Sequence, residues 1–106
     1  MDCQKRRRQI LKEVAQIDCM EKGRLSEEYR ERHKDGQKVR LGPYYKHQQW
    51  EEGHNVSRRV AMGEVEHLRK AVDGYHEFKA LCKEYAEITI EMTRQASRKD
   101  VKKKPR

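Results

Sequence analysis

The sequence has no apolar run approaching the roughly 20 residues that a membrane-spanning helix requires, and its first residues, MDCQKRRRQ, lack the apolar stretch of a secretory signal. A soluble, cytoplasmic protein with no membrane role is therefore expected. Cysteine is scarce as well: Cys3, Cys19 and Cys82 are far apart, which excludes a disulfide framework and leaves no CxxC pair for a metal. Their expected state is the reduced thiol. The histidines His33, His47 and His54 show no HxxxH spacing, so no metal site and no cofactor are expected. No glycine-rich phosphate loop, no GxSxG and no nucleophile beside a base appear either. His67 with Glu64, and His76 with Asp73, stand three apart in a helical pattern and read as surface pairs. An enzyme is not expected.

Apolar residues are also in short supply, at 34% against 42% charged in 106 residues, so any core must be narrow. What the chain has in excess is positive charge, a formal +8. Much of it lies at the ends, in Lys5, Arg6, Arg7 and Arg8 and in the seven basic residues from Arg94 onward. Between Gln9 and Thr93 there are 15 basic and 16 acidic residues. Within that balanced body the charges separate. Residues 29–59 carry eight basic side chains against four acidic ones, a local +4, whereas residues 64–93 carry seven acids against four bases. A polarised small body is the expectation.

Periodicity supplies the elements. Ile10, Val14, Ile17 and Met20 recur at helical spacing and predict a first helix over residues 4–21, ended by Gly23. Val65, Leu68, Val72, Tyr75, Phe78, Cys82, Tyr85 and Ile88 advance by three and four and predict a long helix over 63–95. Between them the period falls to two. RLSEEYRER, YYKHQQW and NVSRRVAM each alternate, which predicts three strands within residues 24–62, joined by a long loop over 34–43 and a hairpin turn around Gly53. The expected fold is α+β: an N-terminal helix, a three-stranded antiparallel meander and a long C-terminal helix, forming one domain over residues 1–96. Its Leu25, Tyr29, Val56 and Val60 side should pack on the helices. Residues 97–106, SRKDVKKKPR, read as a disordered basic tail.

The motifs GPYY (Gly42 to Tyr45) and Arg58-Arg59-Val60, with Gly23, Leu25, Tyr29, Gly53 and the helix from Glu64 to Gln95 containing Tyr75, resemble a small group of uncharacterised bacterial and archaeal proteins. Members of that group are often encoded beside or within transposable elements. The resemblance covers about residues 20–95 and implies the same α-β-β-β-α order. Its members carry a cysteine-rich knuckle just before a His-Gly-Pro-Tyr-Tyr strand; here the stretch ERHKDGQKVRLGPYY holds no cysteine and Leu41 replaces the histidine, which implies that any metal knuckle has been lost.

The residues suited to contact a polyanion are Arg30, Arg32, Lys38, Arg40, Lys46, Arg58 and Arg59 for phosphates, with Tyr44 and Tyr45 as rings for bases or sugars. One face of the strand that carries Tyr44, Lys46, Gln48 and Trp50 on one side and Tyr45, His47 and Gln49 on the other must pack on helices, so one set of rings belongs to the core. The terminal basic runs would add contacts without sequence preference, or serve only solubility. The resulting expectation is an accessory nucleic-acid-binding protein, DNA before RNA, associated with a mobile element. The alternative is a protein-interaction or homodimerisation module whose long amphipathic helix recruits a transposase or another partner, or a second copy.

Overall fold

In the computed structural model, which describes residues 2–103, helix α1 spans Cys3–Ala15. Its first turn is closed by the Asp2 carboxylate, which accepts from the Gln4 amide at 3.1 Å and so satisfies one of the orphan donors of a helix start. Gln16 caps the far end. The expected continuation to residue 21 is not made. Instead the Glu21 amide donates to the Ala71 carbonyl at 2.9 Å, and Gly23, far from ending a helix, opens the first strand with φ +96. A Cβ at Gly23 would stand 2.2 Å from the Gln48 carbonyl oxygen, so the close approach of these two segments requires glycine.

Strands β1 (Arg24–Lys34), β2 (Gln37–Glu51) and β3 (His54–Val60) form an antiparallel sheet in the order β1-β2-β3. Both connections are two-residue turns. Asp35-Gly36 and Glu52-Gly53 all have positive φ, the conformation that matches the right-handed twist of a hairpin. The loop expected over 34–43 is therefore mostly strand. Pro43 lies in the central strand, where its missing N–H is tolerated because the register shifts there: Glu28 pairs Tyr44 and Arg30 pairs Leu41, so the single residue Tyr29 stands opposite Gly42 and Pro43. Gly42, with φ +130, lies under Tyr29, whose Cδ1 would be 3.2 Å from an added Cβ.

After a single 3-10 turn at Met62–Glu64, helix α2 runs over Val65–Lys103. The expected boundary at residue 95 is too early, because the helical backbone continues through most of the segment read as a disordered tail; its last three residues lie outside the described part. The stretch RQASRKD holds no proline or glycine to stop a helix, and Arg98 bridges back to Glu91 at 3.0 Å.

The chain divides into two compact units. The first, Cys19–Tyr75, contains the sheet and the start of α2. Val60, Val65, Leu68 and Val72 form its core, with Leu25 and Tyr45 packed against them. Val56 and Tyr29, expected to join them, share that face but stay exposed, since they lie on either side of the stretch around Leu25, Tyr45 and Val60 on which the start of α2 packs. The second unit combines the chain up to Asp18 with the part from His76 onward. Ile10 and Leu81 are its buried aliphatic side chains, and Cys82, placed in the seam by periodicity, is exposed instead.

In this second unit two residues of the basic KRRR run have partners. Arg6 donates from Nε and Nη2 to the two carboxylate oxygens of Glu84 at 2.6 and 2.8 Å, and also reaches Glu13 at 3.1 Å. The hydrogen bonds from Arg6 hold the Glu84 carboxyl below its ordinary range, and in return they raise the already high guanidinium value of Arg6. Arg7 donates to the Tyr85 hydroxyl at 2.8 Å and stacks on its ring at 4.8 Å.

Candidate nucleic-acid interface

Alternation along the strands assigns every side chain of the sheet to one of two faces. Partners across the ladder share a face, so the registers of β1 with β2 and of β2 with β3 fix the assignment. The helix-side face carries Leu25, Glu27, Tyr29, Glu31 and His33 from β1, Lys38, Arg40, Tyr45, His47, Gln49 and Glu51 from β2, and His54, Val56, Arg58 and Val60 from β3. The open face carries Arg24, Ser26, Glu28, Arg30, Arg32 and Lys34 from β1, Val39, Leu41, Tyr44, Lys46, Gln48 and Trp50 from β2, and Asn55, Ser57 and Arg59 from β3.

The bulge at Gly42 and Pro43 makes this division what it is. Before it the odd residues of β2 face the open side, after it the even ones do, so Tyr44 is turned outward and Tyr45 inward. The ring contacts agree with this assignment. Arg30 and Arg59, from the two outer strands, lie over the Tyr44 ring at 5.2 and 4.5 Å. On the opposite side Arg40 lies over Tyr29 at 3.9 Å. The Tyr29 hydroxyl donates to Glu27 at 2.5 Å, a hydrogen bond that raises its pKa.

The nine residues singled out from sequence are thereby split. Arg30, Arg32, Tyr44, Lys46 and Arg59 share the open face, whereas Lys38, Arg40, Tyr45 and Arg58 share the helix-side one. Tyr45 packs against the core with Arg69 at 5.9 Å from its ring. Arg58 faces Glu64 at 3.6 Å, and Lys46 faces Glu28 at 3.2 Å. Grouping Arg58 with its neighbour Arg59 as one phosphate-gripping pair is thus incorrect, because consecutive strand residues point to opposite sides.

Three further residues belong with the open-face set: Arg24 and Lys34, which the sequence reading does not single out, and Trp50, which alternation already places beside Tyr44 and Lys46. The signal for the two cations is the parity of β1, in which every basic side chain but His33 stands at an even position and Glu27 and Glu31 at odd ones. Among strand residues the open face then holds six cations, Arg24, Arg30, Arg32, Lys34, Lys46 and Arg59, against Glu28 alone, a net +5. The helix-side face holds Lys38, Arg40 and Arg58 against Glu27, Glu31 and Glu51, and is neutral with its histidines uncharged. Among the described residues Arg24, Arg30, Arg32, Lys34 and Arg59 enter no ion pair.

His47 is the buried polar residue of the sheet. Its Nε2 lies 2.6 Å from the Lys22 carbonyl oxygen, so the ring donates there and ties β2 to the segment before β1. That contact is structural. Among the described residues no three His, Cys, Asp or Glu side chains converge as a metal site would require, and no helix is long and apolar enough to cross a membrane.

A family described as Domain of unknown function (DUF6788) matches residues 1–70, which include α1, the whole sheet and the first turns of α2. No curated protein and no solved structure matches the chain.

Proposed function

The chain belongs to the DUF6788 family, and from that premise we propose that it binds nucleic acid through the open face of its sheet. The observation that carries the reading is the segregation of charge: net +5 on one side of three strands and zero on the other, from alternate residues of the same sequence. Guanidinium groups over a tyrosine ring, as Arg30 and Arg59 are over Tyr44, suit phosphate oxygens in fork geometry. The single carboxylate of the face, Glu28, is already paired with Lys46, so it does not repel a phosphate chain as a free acid would. DNA is the first polymer to test, and an accessory role beside a mobile element enters the proposal through the resemblance carried by the GPYY and Arg-Arg-Val motifs.

Salt dependence tests the reading. The five cations of the face outside the Lys46–Glu28 pair, meeting phosphates, give a slope of log affinity against log salt of about −3.5 to −4.5, so binding that is tight near about 50 mM salt is largely lost by about 200 mM. A slope near zero, or no binding at the lower salt, rules the open face out as a polyanion surface.

A second reading rests on the two-helix unit. Leu11 and Ile90 are about half exposed there, at 55% and 47%, beside a core in which Ile10 and Leu81 are the buried aliphatics. A pair of helices with so small an interior gains by covering that surface with a second copy or a partner protein. Sedimentation of the full chain and of Leu11→Lys with Ile90→Lys separates the readings: a dimer that the double substitution dissolves favours the helical contact, and an unchanged monomer removes it.

A further inference from the structure

Two aromatic rings stand on the open face, and they differ in what occupies them. Tyr44 is half-buried, with Arg30 and Arg59 stacked on it, so its surface is already used in setting two guanidinium groups. Trp50 is 73% exposed, and among the described residues no cation lies over it. It pairs across the ladder with Asn55, next to the Glu52-Gly53 turn. An indole left in water at the end of a cationic strip is matched to a flat partner that carries negative charge.

Resting on the reading above, we infer that the open face takes single-stranded nucleic acid rather than duplex, with phosphates along Arg24, Arg30, Arg32 and Arg59 and an unpaired base stacked on Trp50. Two arguments of shape support the single strand. A duplex keeps the faces of its bases inside the stack, so the indole would meet only edges and backbone. The outer strands of a three-stranded sheet also lie about 10 Å apart before their side chains are counted, while a major groove about 12 Å wide admits a helix or a two-stranded ribbon. A single strand lies across such a platform without either difficulty. From Tyr44 to Trp50 is six residues of strand, about 20 Å. That is the length of about six stacked nucleotides at 3.4 Å each, within the site sizes of about 4–16 nucleotides found for sheet-based single-strand binders.

Trp50 is the one tryptophan of the chain, so indole fluorescence reports this position alone. The full chain is titrated at low salt with oligothymidylate, oligouridylate and a duplex, each of about 12 units, a length chosen to exceed the expected site. Saturable quenching by either single strand, with the duplex held at least about tenfold more weakly, supports the inference, and the better of the two strands names the polymer. With a labelled oligonucleotide followed by anisotropy, Trp50→Ala weakens binding about 5- to 150-fold and Trp50→Phe restores most of it. Trp50 is solvent-exposed, and unchanged circular dichroism of both variants confirms that folding is intact. If the duplex binds as tightly as the single strands, or Trp50→Ala binds as well as the parent, the single-strand assignment is overturned while the binding face stands. If no nucleic acid binds, the parent reading fails with it.

Discussion

The two faces of the sheet are made from the same three strands, residue by alternate residue, and differ in nearly every property that governs recognition. One contributes Leu25, Tyr45 and Val60 to the core and balances its cations with Glu27, Glu31 and Glu51. The other sets six cations around a tyrosine and an exposed indole, with one carboxylate among them. The difference teaches that charge along the chain is a poor guide to charge in space. A window over residues 29–59 reads as a diffuse +4, and only the parity of the strands concentrates it. It also shows what a short apolar supply permits. With little to bury, the sheet packs part of one face on α2, and the other face is free to carry charge at no cost to that core.

The largest expected effect breaks the comparison from the core side. Leu68→Ala removes a buried side chain of the sheet unit and should cost about 2–5 kcal/mol by denaturant unfolding, while leaving the affinity of the remaining folded protein unchanged. A smaller effect concerns acid. Because Arg6 holds the Glu84 carboxyl below its ordinary value, the contribution of this pair to the helical unit is present above the usual carboxylate pKa and is lost as pH falls through the depressed one. The protection of α1 amides against hydrogen exchange, taken relative to the unfolded chain at the same pH, should therefore fall as pH drops below the ordinary carboxylate range, and Glu84→Gln should remove that dependence. The smallest effect sharpens the open face itself. Glu28→Gln releases Lys46 from its ion pair, changes stability by less than about 1 kcal/mol, and should steepen the salt slope by up to about one. A shallower slope would mean that Lys46 does not face the ligand.

Much of this architecture was legible in the sequence. Three alternating segments between two periodic helices specify the α-β-β-β-α order, and the parity of RLSEEYRERHK already separates its arginines from most of its glutamates. What misled was Pro43. A proline ordinarily marks a loop or an edge, and it sits in the central strand because a bulge removes the need for its missing donor. The Asp35-Gly36 pair was a readable hairpin signal, outweighed by the Gly42-Pro43 pair a few residues later. That same bulge shifts parity by one in β2, which no periodicity within a single strand can reveal, and a loop over 34–43 gives Lys38 and Arg40 no face at all, whereas the strand puts them opposite Arg30 and Arg59. The end of α1 was misplaced because Ile17 and Met20 continue its spacing while the backbone of Glu21 finds its partner on α2. Ion pairs such as Arg58 with Glu64 depend on where a strand side chain meets the following turn, and so were not readable in advance.

The central claim is that one face, not the basic composition at large, meets the ligand. The most direct test measures the salt slope of binding for two charge-equal variants, Arg30→Glu with Arg59→Glu on the open face and Lys38→Glu with Arg40→Glu on the other. The account predicts that the first pair flattens the slope by about two and the second leaves it as in the parent. Equal losses from both pairs would contradict it.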